Sequence, residues 1–339
     1  MSITVVGSIA YDAVKTPFGE RERMLGGAAV HFALAASFFD LVHVVGPVGE
    51  DFGEPQLDVL RGRGVDISDI ERVAGGETFF WRGEYGWDLN SRETLDTKLG
   101  VFEGFAPKLS AASRAGRVLF LANIQPDLQR EVRAQLPAAR FVALDSMDLW
   151  IDIARDSLVE AIASVDCVIL NDAELRQLTG KPNLFSAARE VLSWGSPPTP
   201  SSPGPSSPDA GHGDRGPSVV VAKQGEYGAA LITRERFFSL PAYPLESVVD
   251  PTGAGDTFAG GFVGYIAAHL DDDRTGDGQE DRLSDELLRA AMAHGTALAS
   301  FNVEEFGTER TVRLGQAEIA ARVAELREIT SFSGAPSTS

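Results

Sequence analysis

The sequence predicts a doubly wound α/β fold, with a mostly parallel sheet and a small antiparallel β lid. Two observations indicate the parallel sheet: apolar strand-like runs recur along the chain, and helix-like stretches separate them. A third observation indicates the lid. Residues 76–105 replace this alternation with aromatic and Thr-rich segments that are separated by turn residues, and such a lid would close over a substrate to exclude water.

The predicted strands are short runs rich in Val, Ile, Leu and Phe, without strict alternation of polar residues. Runs of this kind suit strands that are covered on both faces, as in a parallel sheet. They lie at 3–7, 42–46, 118–123, 141–145, 167–170 and 219–223. The predicted helices lie at 27–39, 127–136, 150–163, 172–179 and 186–194.

Four polar residues end or directly follow predicted strands. In a doubly wound sheet, ligands bind beyond the carboxyl ends of the strands, so residues at these ends are candidates for ligand contact. They are Asn123, Asp145, Asn171 and Lys223.

The domain boundaries follow from composition. We expect one domain over residues 1–325, including the lid. The Pro/Ser/Gly-rich tract at 195–217 predicts a disordered insertion, the stretch at 271–282 an acidic surface loop, and residues 326–339 a flexible tail.

Charge and composition exclude several classes of protein. The chain of 339 residues carries 30 Lys and Arg against 49 Asp and Glu, a net charge of −19 that disfavours nucleic acid as a partner. Neither a targeting segment nor an apolar run long enough to span a membrane is evident, so we expect a cytoplasmic protein without membrane contact. A single cysteine excludes an internal disulfide, and the five histidines lack zinc-site spacing.

The stretch DPTGAGDTF at 250–258 precedes a predicted helix. Free N–H groups and the positive end of the helix dipole make such a turn attract phosphate. Asp256 could simply be a favoured residue at a helix start. Alternatively, the amides of Gly253, Ala254 and Gly255 hold a transferring phosphoryl group while the Asp256 carboxylate accepts a proton from the attacking hydroxyl.

Two weaker motifs precede this turn. In NDAE, Asn171 and Glu174 share one face of a helix and are suited either to a helix cap or to contact with a water-clad Mg²⁺. In AKQGEYGA, Lys223 could reach a phosphate, and Gly225 and Gly228 would let the backbone approach it, although a hairpin turn also explains the pattern. Neither a P-loop sequence nor GxGxxG is present.

The order of these three motifs resembles the ribokinase (pfkB-type) family of carbohydrate and nucleoside kinases. The resemblance extends over about residues 2–325, through GSIAYD at 7–12, GGAAVHFALA at 26–35 and VGPVGEDFG at 45–53. It implies a ribokinase-like fold, with Asp256 as the catalytic base. Gly253, Ala254 and Gly255 would form the anion hole, and Asn171 and Glu174 would act on Mg²⁺ and phosphate.

The resemblance also implies acceptor and cation contacts. Asp12 and Gly27 would bind acceptor hydroxyls, and we add Asn123 from its position. Relatives often have Asn where this chain has His31, and Thr where it has Lys223, which leaves the usual sugar assignment open. Asp250 and the Thr252 carbonyl lie where several relatives bind a monovalent cation, often K⁺. The lid edges suggest a homodimer.

We therefore expect ATP-dependent phosphorylation of a small hydroxylated metabolite, with Mg²⁺ as the cofactor of ATP. A sugar or sugar derivative is the first expectation for the acceptor. An adenosine-type nucleoside is the alternative, with Phe80 or Trp81 of the lid either stacking on a nucleobase or packing the lid. A non-catalytic nucleotide- or sugar-binding regulator of the same fold is a third reading, which the GAGD and NxxE motifs disfavour.

Overall fold

The computed structural model describes residues 2–195, 216–271 and 283–331. The predicted insertion at 195–217 and acidic loop at 271–282 therefore lie almost wholly outside the described residues, as does the tail after residue 331. The last described helix ends at Thr330, five residues beyond the domain boundary that we predicted at 325.

Thirteen strands form two sheets. In chain order they are β1 (Ser2–Val6), β2 (Ala10–Thr16), β3 (Gly19–Gly26), β4 (Leu41–Gly49), β5 (Asp66–Val73), β6 (Phe79–Tyr85), β7 (Arg92–Lys98), β8 (Val118–Leu121), β9 (Phe141–Leu144), β10 (Cys167–Asn171), β11 (Val219–Lys223), β12 (Ala229–Thr233) and β13 (Phe237–Leu240).

Twelve α-helices occur among the described residues. They are α1 (Ala28–Ala36), α2 (Glu54–Gly62), α3 (Ala111–Arg114), α4 (Pro126–Gln135), α5 (Asp148–Ile153), α6 (Arg155–Ala163), α7 (Asp172–Thr179), α8 (Leu184–Val191), α9 (Ala254–His269), α10 (Asp285–Asn302), α11 (Glu309–Arg313) and α12 (Gln316–Thr330). Short 3₁₀ turns cover Gly100–Gly104 and Gly225–Tyr227.

The large sheet has nine strands in the order β13-β12-β11-β10-β9-β8-β1-β4-β5. Its seven strands from β11 to β5 pair in parallel, and β12 and β13 add antiparallel pairings at one edge. The strand order reverses beside β1, which is where ligands bind in doubly wound sheets. The predicted fold class is confirmed.

Two hydrophobic cores cover the two faces of this sheet. One contains α1, α9 and α10, and the other contains α4, α6, α7 and α8. Helix α9 packs between α1 and α10, and the approach is close because Gly260 faces α1. A β-carbon at Gly260 would lie 2.3 Å from the Phe32 carbonyl oxygen. This packing fixes where the N-terminus of α9 points.

The small sheet has the order β3-β2-β6-β7 and forms the lid. Strands β6 and β7 come from the predicted lid segment, whereas β2 and β3 come from residues 10–26, which we had not assigned to it. Two of its pairings are antiparallel, and the central β2–β6 pairing is parallel. Half of the lid is therefore supplied from near the N-terminus.

All six predicted strands and the predicted helices appear with small changes of boundary. The helix that we predicted at 150–163 is two helices, because Ala154 has an extended φ of −142° and interrupts it between α5 and α6. Strands β2, β3, β5, β12 and β13 were not predicted from the apolar runs.

Candidate active site

The turn before α9 has the geometry of an anion-binding site. Gly253 caps the helix with a left-handed φ of 73°, and the His31 ring lies directly against it. A β-carbon at Gly253 would be 2.4 Å from that ring, so both backbone and packing require glycine here. The N–H groups of Gly255 and Asp256 belong to the first helical turn, where a helix offers no carbonyl partners of its own. The Ala254 N–H donates to the Pro251 carbonyl at 3.2 Å.

Asp256 lies in the first turn of α9 and keeps part of its surface accessible. Burial raises the pKa of its carboxyl group, and the nearby Lys223 ammonium opposes that shift. Asp256 also acts electrostatically on Asp12, which comes from the lid strand β2. The carboxylate thus lies where the end of the large sheet approaches the lid.

Lys223 is the cation of this site. It ends β11, and its Nζ donates to Asp145 Oδ2 at 2.7 Å, with side-chain exposures of 18% for Lys223 and 5% for Asp145. Burial acts to lower the pKa of Lys223, but Asp145, Glu174 and Asp256 outweigh it and raise the pKa. The ammonium therefore stays charged among three carboxylates.

The NxxE motif forms a capping box at the start of α7. The Asn171 Oδ1 accepts from the Glu174 amide at 2.7 Å, and the Asn171 amide donates to Glu174 Oε2 at 2.8 Å. These two bonds correspond to the helix cap, which was one of the two interpretations of the motif. Burial raises the pKa of Glu174, and the residue still faces Lys223, so the cap also positions a carboxylate beside the phosphate site.

The glycine turn after β11 is closed by a bond from the Gln224 amide to the Gly228 carbonyl at 2.8 Å. Gly225 and Gly228 both have left-handed φ values, of 57° and 96°. At the tip of the lid hairpin, Asn90 donates to Glu226 at 3.0 Å. The lid therefore reaches the turn that was predicted to lie on the nucleotide side.

The predicted acceptor residues Asp12 and Gly27 lie together. The Asp12 carboxylate accepts from the Gly27 backbone, and burial, followed by Asp250, raises its pKa to about 7. Asp12 is also in register with Trp81 across the β2–β6 pairing. The Trp81 ring lies so close to Gly83 that a β-carbon there would be 2.2 Å from it.

His31 and Asn123 have other partners. His31 is buried, its Nδ1 lies 3.3 Å from Asn302 Oδ1, and its Nε2 has no hydrogen-bond partner among the described residues. Burial lowers its pKa. Asn123 accepts from Trp150 Nε1 at 2.9 Å and thereby fixes the start of α5. The structure thus places His31 beneath the anion-binding turn and Asn123 against α5.

Two further residues, which the motifs did not reveal, contact the site. The Thr252 hydroxyl donates to the Tyr85 hydroxyl at 3.2 Å, which brings the end of β6 to the turn. Asn302 donates to the Thr252 carbonyl at 2.8 Å and accepts from Thr257 at 3.0 Å. Neither follows a motif, because strand register and helix packing bring them in from distant positions.

The proposed monovalent-cation ligands already have protein partners. The two oxygens of Asp250 accept from the Thr252 and Gly307 amides, both at 2.9 Å, and the Thr252 carbonyl accepts from Asn302. Each of these oxygens accepts one hydrogen bond and keeps a second lone pair, so the binding of a monovalent cation here stays a prediction. The Asn302 amide holds the turn in position.

The charge around Lys223 suits the divalent ion that is expected with ATP. Within the described ranges, no group of three or more Asp, Glu, His or Cys side chains could hold a metal by itself. Three carboxylates nevertheless surround one ammonium at Lys223, and this excess negative charge suits a cation that arrives with phosphate ligands. Mg²⁺ is usually bound in this way, by one or two carboxylates together with nucleotide phosphates.

The chain matches known kinases over most of its length. A family model described as "pfkB family carbohydrate kinase" matches residues 87–313. The chain belongs to the pfkB family. This confirms the resemblance predicted from the sequence, and as a pfkB-family protein the chain is an ATP-dependent kinase.

Relatives within the pfkB family include both nucleoside and sugar kinases. The chain is 28% identical to a cytidine kinase of Thermococcus kodakarensis over 272 residues, 78% of this chain and 88% of the relative. It is 28% identical to a fructokinase of Klebsiella pneumoniae over 287 residues, 79% of this chain and 85% of the relative.

Solved structures show the same ribokinase-like fold. The nucleoside kinase of Methanocaldococcus jannaschii has a TM-score of 0.70 at 18% identity, and the match covers 96% of this chain and 98% of that one. Among the residues that the structure describes, every helix is too short or too polar to cross a membrane.

Proposed function

We propose that this pfkB-family kinase transfers the terminal phosphoryl group of ATP to a sugar-ring hydroxyl, with Asp256 as the general base. One observation carries the proposal: Asp256 lies at the N-terminus of α9, within electrostatic reach of both Lys223 at the end of β11 and Asp12 in the lid strand β2. A base is needed where the phosphate donor and the acceptor hydroxyl meet.

Each group then has one task. Asp256 accepts the proton of the acceptor hydroxyl, whose oxygen forms a bond to the terminal phosphorus as the bond to the bridging oxygen breaks and ADP leaves. The amides of Gly253, Ala254 and Gly255 and the Lys223 ammonium stabilise the charge on the transferring group. When bound, Mg²⁺ supplies charge neutralisation at the phosphates.

The remaining residues bind the substrates or support the residues that do. Glu174 presents a carboxylate toward the phosphates and is suited to contact Mg²⁺ through water, while the turn of Gly225 and Gly228 lets the backbone approach the nucleotide. Asp12 and the Gly27 backbone hold acceptor hydroxyls. We assign His31 to the support of Gly253 and Asn123 to the support of α5, and no step to K⁺.

The acceptor is a sugar, either free or as part of a nucleoside. The nucleoside alternative is favoured by Trp81, an aromatic lid residue that is in register with Asp12 across the β2–β6 pairing. The cytidine kinase relative supports the same alternative, and the fructokinase relative supports a free sugar.

The test is ADP release from Mg–ATP with a panel of pentoses, hexoses, sugar acids and nucleosides. Asp256→Asn should lower turnover on the accepted substrate by at least about 100-fold, the lower end of general-base catalysis, and should still bind Mg–ADP in calorimetry. Asp58→Asn is the matched control, since this carboxylate is exposed on α2. Turnover above about a tenth of wild type in Asp256→Asn would contradict the assigned base.

A further inference from the structure

The ion pair between Lys223 and Asp145 crosses the mouth of the phosphate site. Lys223 ends β11 and Asp145 follows β9, and β10 lies between these two strands. The pair therefore bridges the carboxyl end of β10, next to Asn171. Both side chains are largely buried, and the 2.7 Å distance is that of a direct charged hydrogen bond.

The ammonium also touches the anion-binding turn. A β-carbon at Gly255 would lie 3.1 Å from Lys223 Nζ, so the cation stands against the first turn of α9. A positive charge at the positive end of a helix is unfavourable unless an anion accompanies it. Of the three carboxylates around Lys223, Asp145 is the one that accepts a direct hydrogen bond from the ammonium.

A phosphate that enters the turn meets the same ammonium. Asp145 then becomes a competitor, because it holds Lys223 and because its own charge repels the phosphate. Its other oxygen accepts from the Ser146 amide at 2.8 Å, so the carboxylate keeps a partner when Lys223 moves. Asp145 thus can remain buried without the lysine.

We propose that Asp145 is a positioning residue that holds Lys223 at the empty site and yields it to the nucleotide phosphates. This inference rests on the proposed function, since it requires phosphate at the α9 turn. The exchange lowers nucleotide affinity, because binding must first break the ion pair. It keeps the lysine in place for each turnover and eases release of ADP.

The direction in which one substitution changes the affinity for Mg–ADP tests this role. Asp145→Asn should bind Mg–ADP about 3- to 30-fold more tightly in calorimetry, with a lower KM for ATP and a kcat that is unchanged or lower. A residue of only structural importance would weaken binding instead. Asp145→Glu keeps the competing charge and should stay close to wild type.

A double-mutant cycle identifies the partner. Lys223→Met should weaken Mg–ADP binding, and Asp145→Asn should give a smaller gain in affinity in the Lys223→Met background than in the wild type. Folded Asp145→Asn enzyme with unchanged or weaker ADP binding would overturn the proposal. So would an equal gain in both backgrounds, because the carboxylate would then act without Lys223.

A second measurement follows the unaltered enzyme and needs a variant only to assign one signal. The chain has five lysines, so labelling lysine with ¹³C and ¹⁵N gives few side-chain signals, and Lys223→Arg assigns the relevant one. Mg–ADP should shift the Lys223 Nζ and Cε signals. ADP binding without this shift overturns the inference alone, whereas failure of the wild type to bind Mg–ADP overturns the proposed function as well.

Discussion

The proposed nucleotide side of the site is assembled from three short stretches of sequence, whereas the proposed acceptor side is assembled from strands that lie far apart in the chain. The nucleotide side consists of residues 171–174, 223–228 and 250–256. The first two stretches begin at the ends of β10 and β11, and the third leads into α9. The acceptor side joins β2 and the start of α1 to β6, about 70 residues later.

This difference determines how each side responds to substitution. The nucleotide side depends on backbone conformation, because turns and helix starts present its N–H groups. The acceptor side depends on strand register, which brings the charge of Asp12 beside the Trp81 ring. A substitution that alters the backbone should therefore lower activity more on the nucleotide side, and a substitution that removes a charge should lower it more on the acceptor side.

Among the changes that test this comparison, the largest effect is expected for Gly253→Ala. An L-residue at a φ of 73° costs about 1–2 kcal/mol, and the added β-carbon would collide with the His31 ring. Relief of that contact must displace the amides of the turn, and a shift of about 1 Å can lower a rate about 100-fold. We expect kcat/KM for both substrates to fall by about that factor in steady-state assays.

A second glycine serves as the control. Gly62 lies exposed at the end of α2, with no atom within 4 Å of an added β-carbon and no left-handed φ. Gly62→Ala should therefore keep its rate within about twofold of wild type. Activity of Gly253→Ala above about a third of wild type would show that the turn tolerates displacement, and would remove the contrast between the two sides.

Asp12→Asn tests the acceptor side. A hydrogen bond to a charged group contributes about 1.5–3 kcal/mol, so loss of the Asp12 charge should raise KM for the acceptor about 10- to 100-fold and leave KM for ATP unchanged. Initial rates at varied acceptor and fixed Mg–ATP measure this. An equal rise in both KM values would contradict the assignment of Asp12 to the acceptor.

The same substitution should stabilise the fold at high pH. The pKa of Asp12 rises from 3.8 to about 7 in the folded protein, so the folded state binds the proton more tightly than the unfolded chain. Stability therefore declines as the pH rises from about 4 to about 7 and stays low above that. Asp12→Asn should melt a few degrees above wild type at pH 8 and close to it at pH 4, as thermal melts would show.

Strands that are buried on both faces could be predicted from the sequence, and strands that depend on their neighbours could not. β8 and β10 consist of apolar residues that favour burial by themselves. β3 reads GERERMLG and is largely exposed, and its pairing with β2 makes it a strand, so no local pattern carries that information. β7 reads RETLDTK and is equally exposed, and it was predicted only as part of the aromatic and Thr-rich lid segment.

The same limit applies to the site. Asp256, Lys223 and Glu174 follow from motifs because each lies within a few residues of its own turn. Asp145 ends a predicted strand, and the sequence indicates only that it is a polar residue at a strand end. Its ion pair with Lys223 could not be predicted, because the two residues are 78 positions apart. Tyr85 and Asn302 reach Thr252 through lid register and helix packing, which the sequence does not show.

The smallest effect is expected for Tyr85→Phe, which tests a hydrogen bond between the lid strand β6 and the anion-binding turn. The substitution removes the hydroxyl that accepts from Thr252 at 3.2 Å, a bond of about 0.5–1.5 kcal/mol, so kcat/KM for the acceptor should fall about 2- to 10-fold. Tyr227→Phe is the control, because this tyrosine is 75% exposed on the nucleotide turn. If KM for ATP rises as much as KM for the acceptor, Tyr85 serves both sides and the lid cannot be assigned to the acceptor alone. If only the acceptor kinetics change, the two sides remain distinct even where they touch.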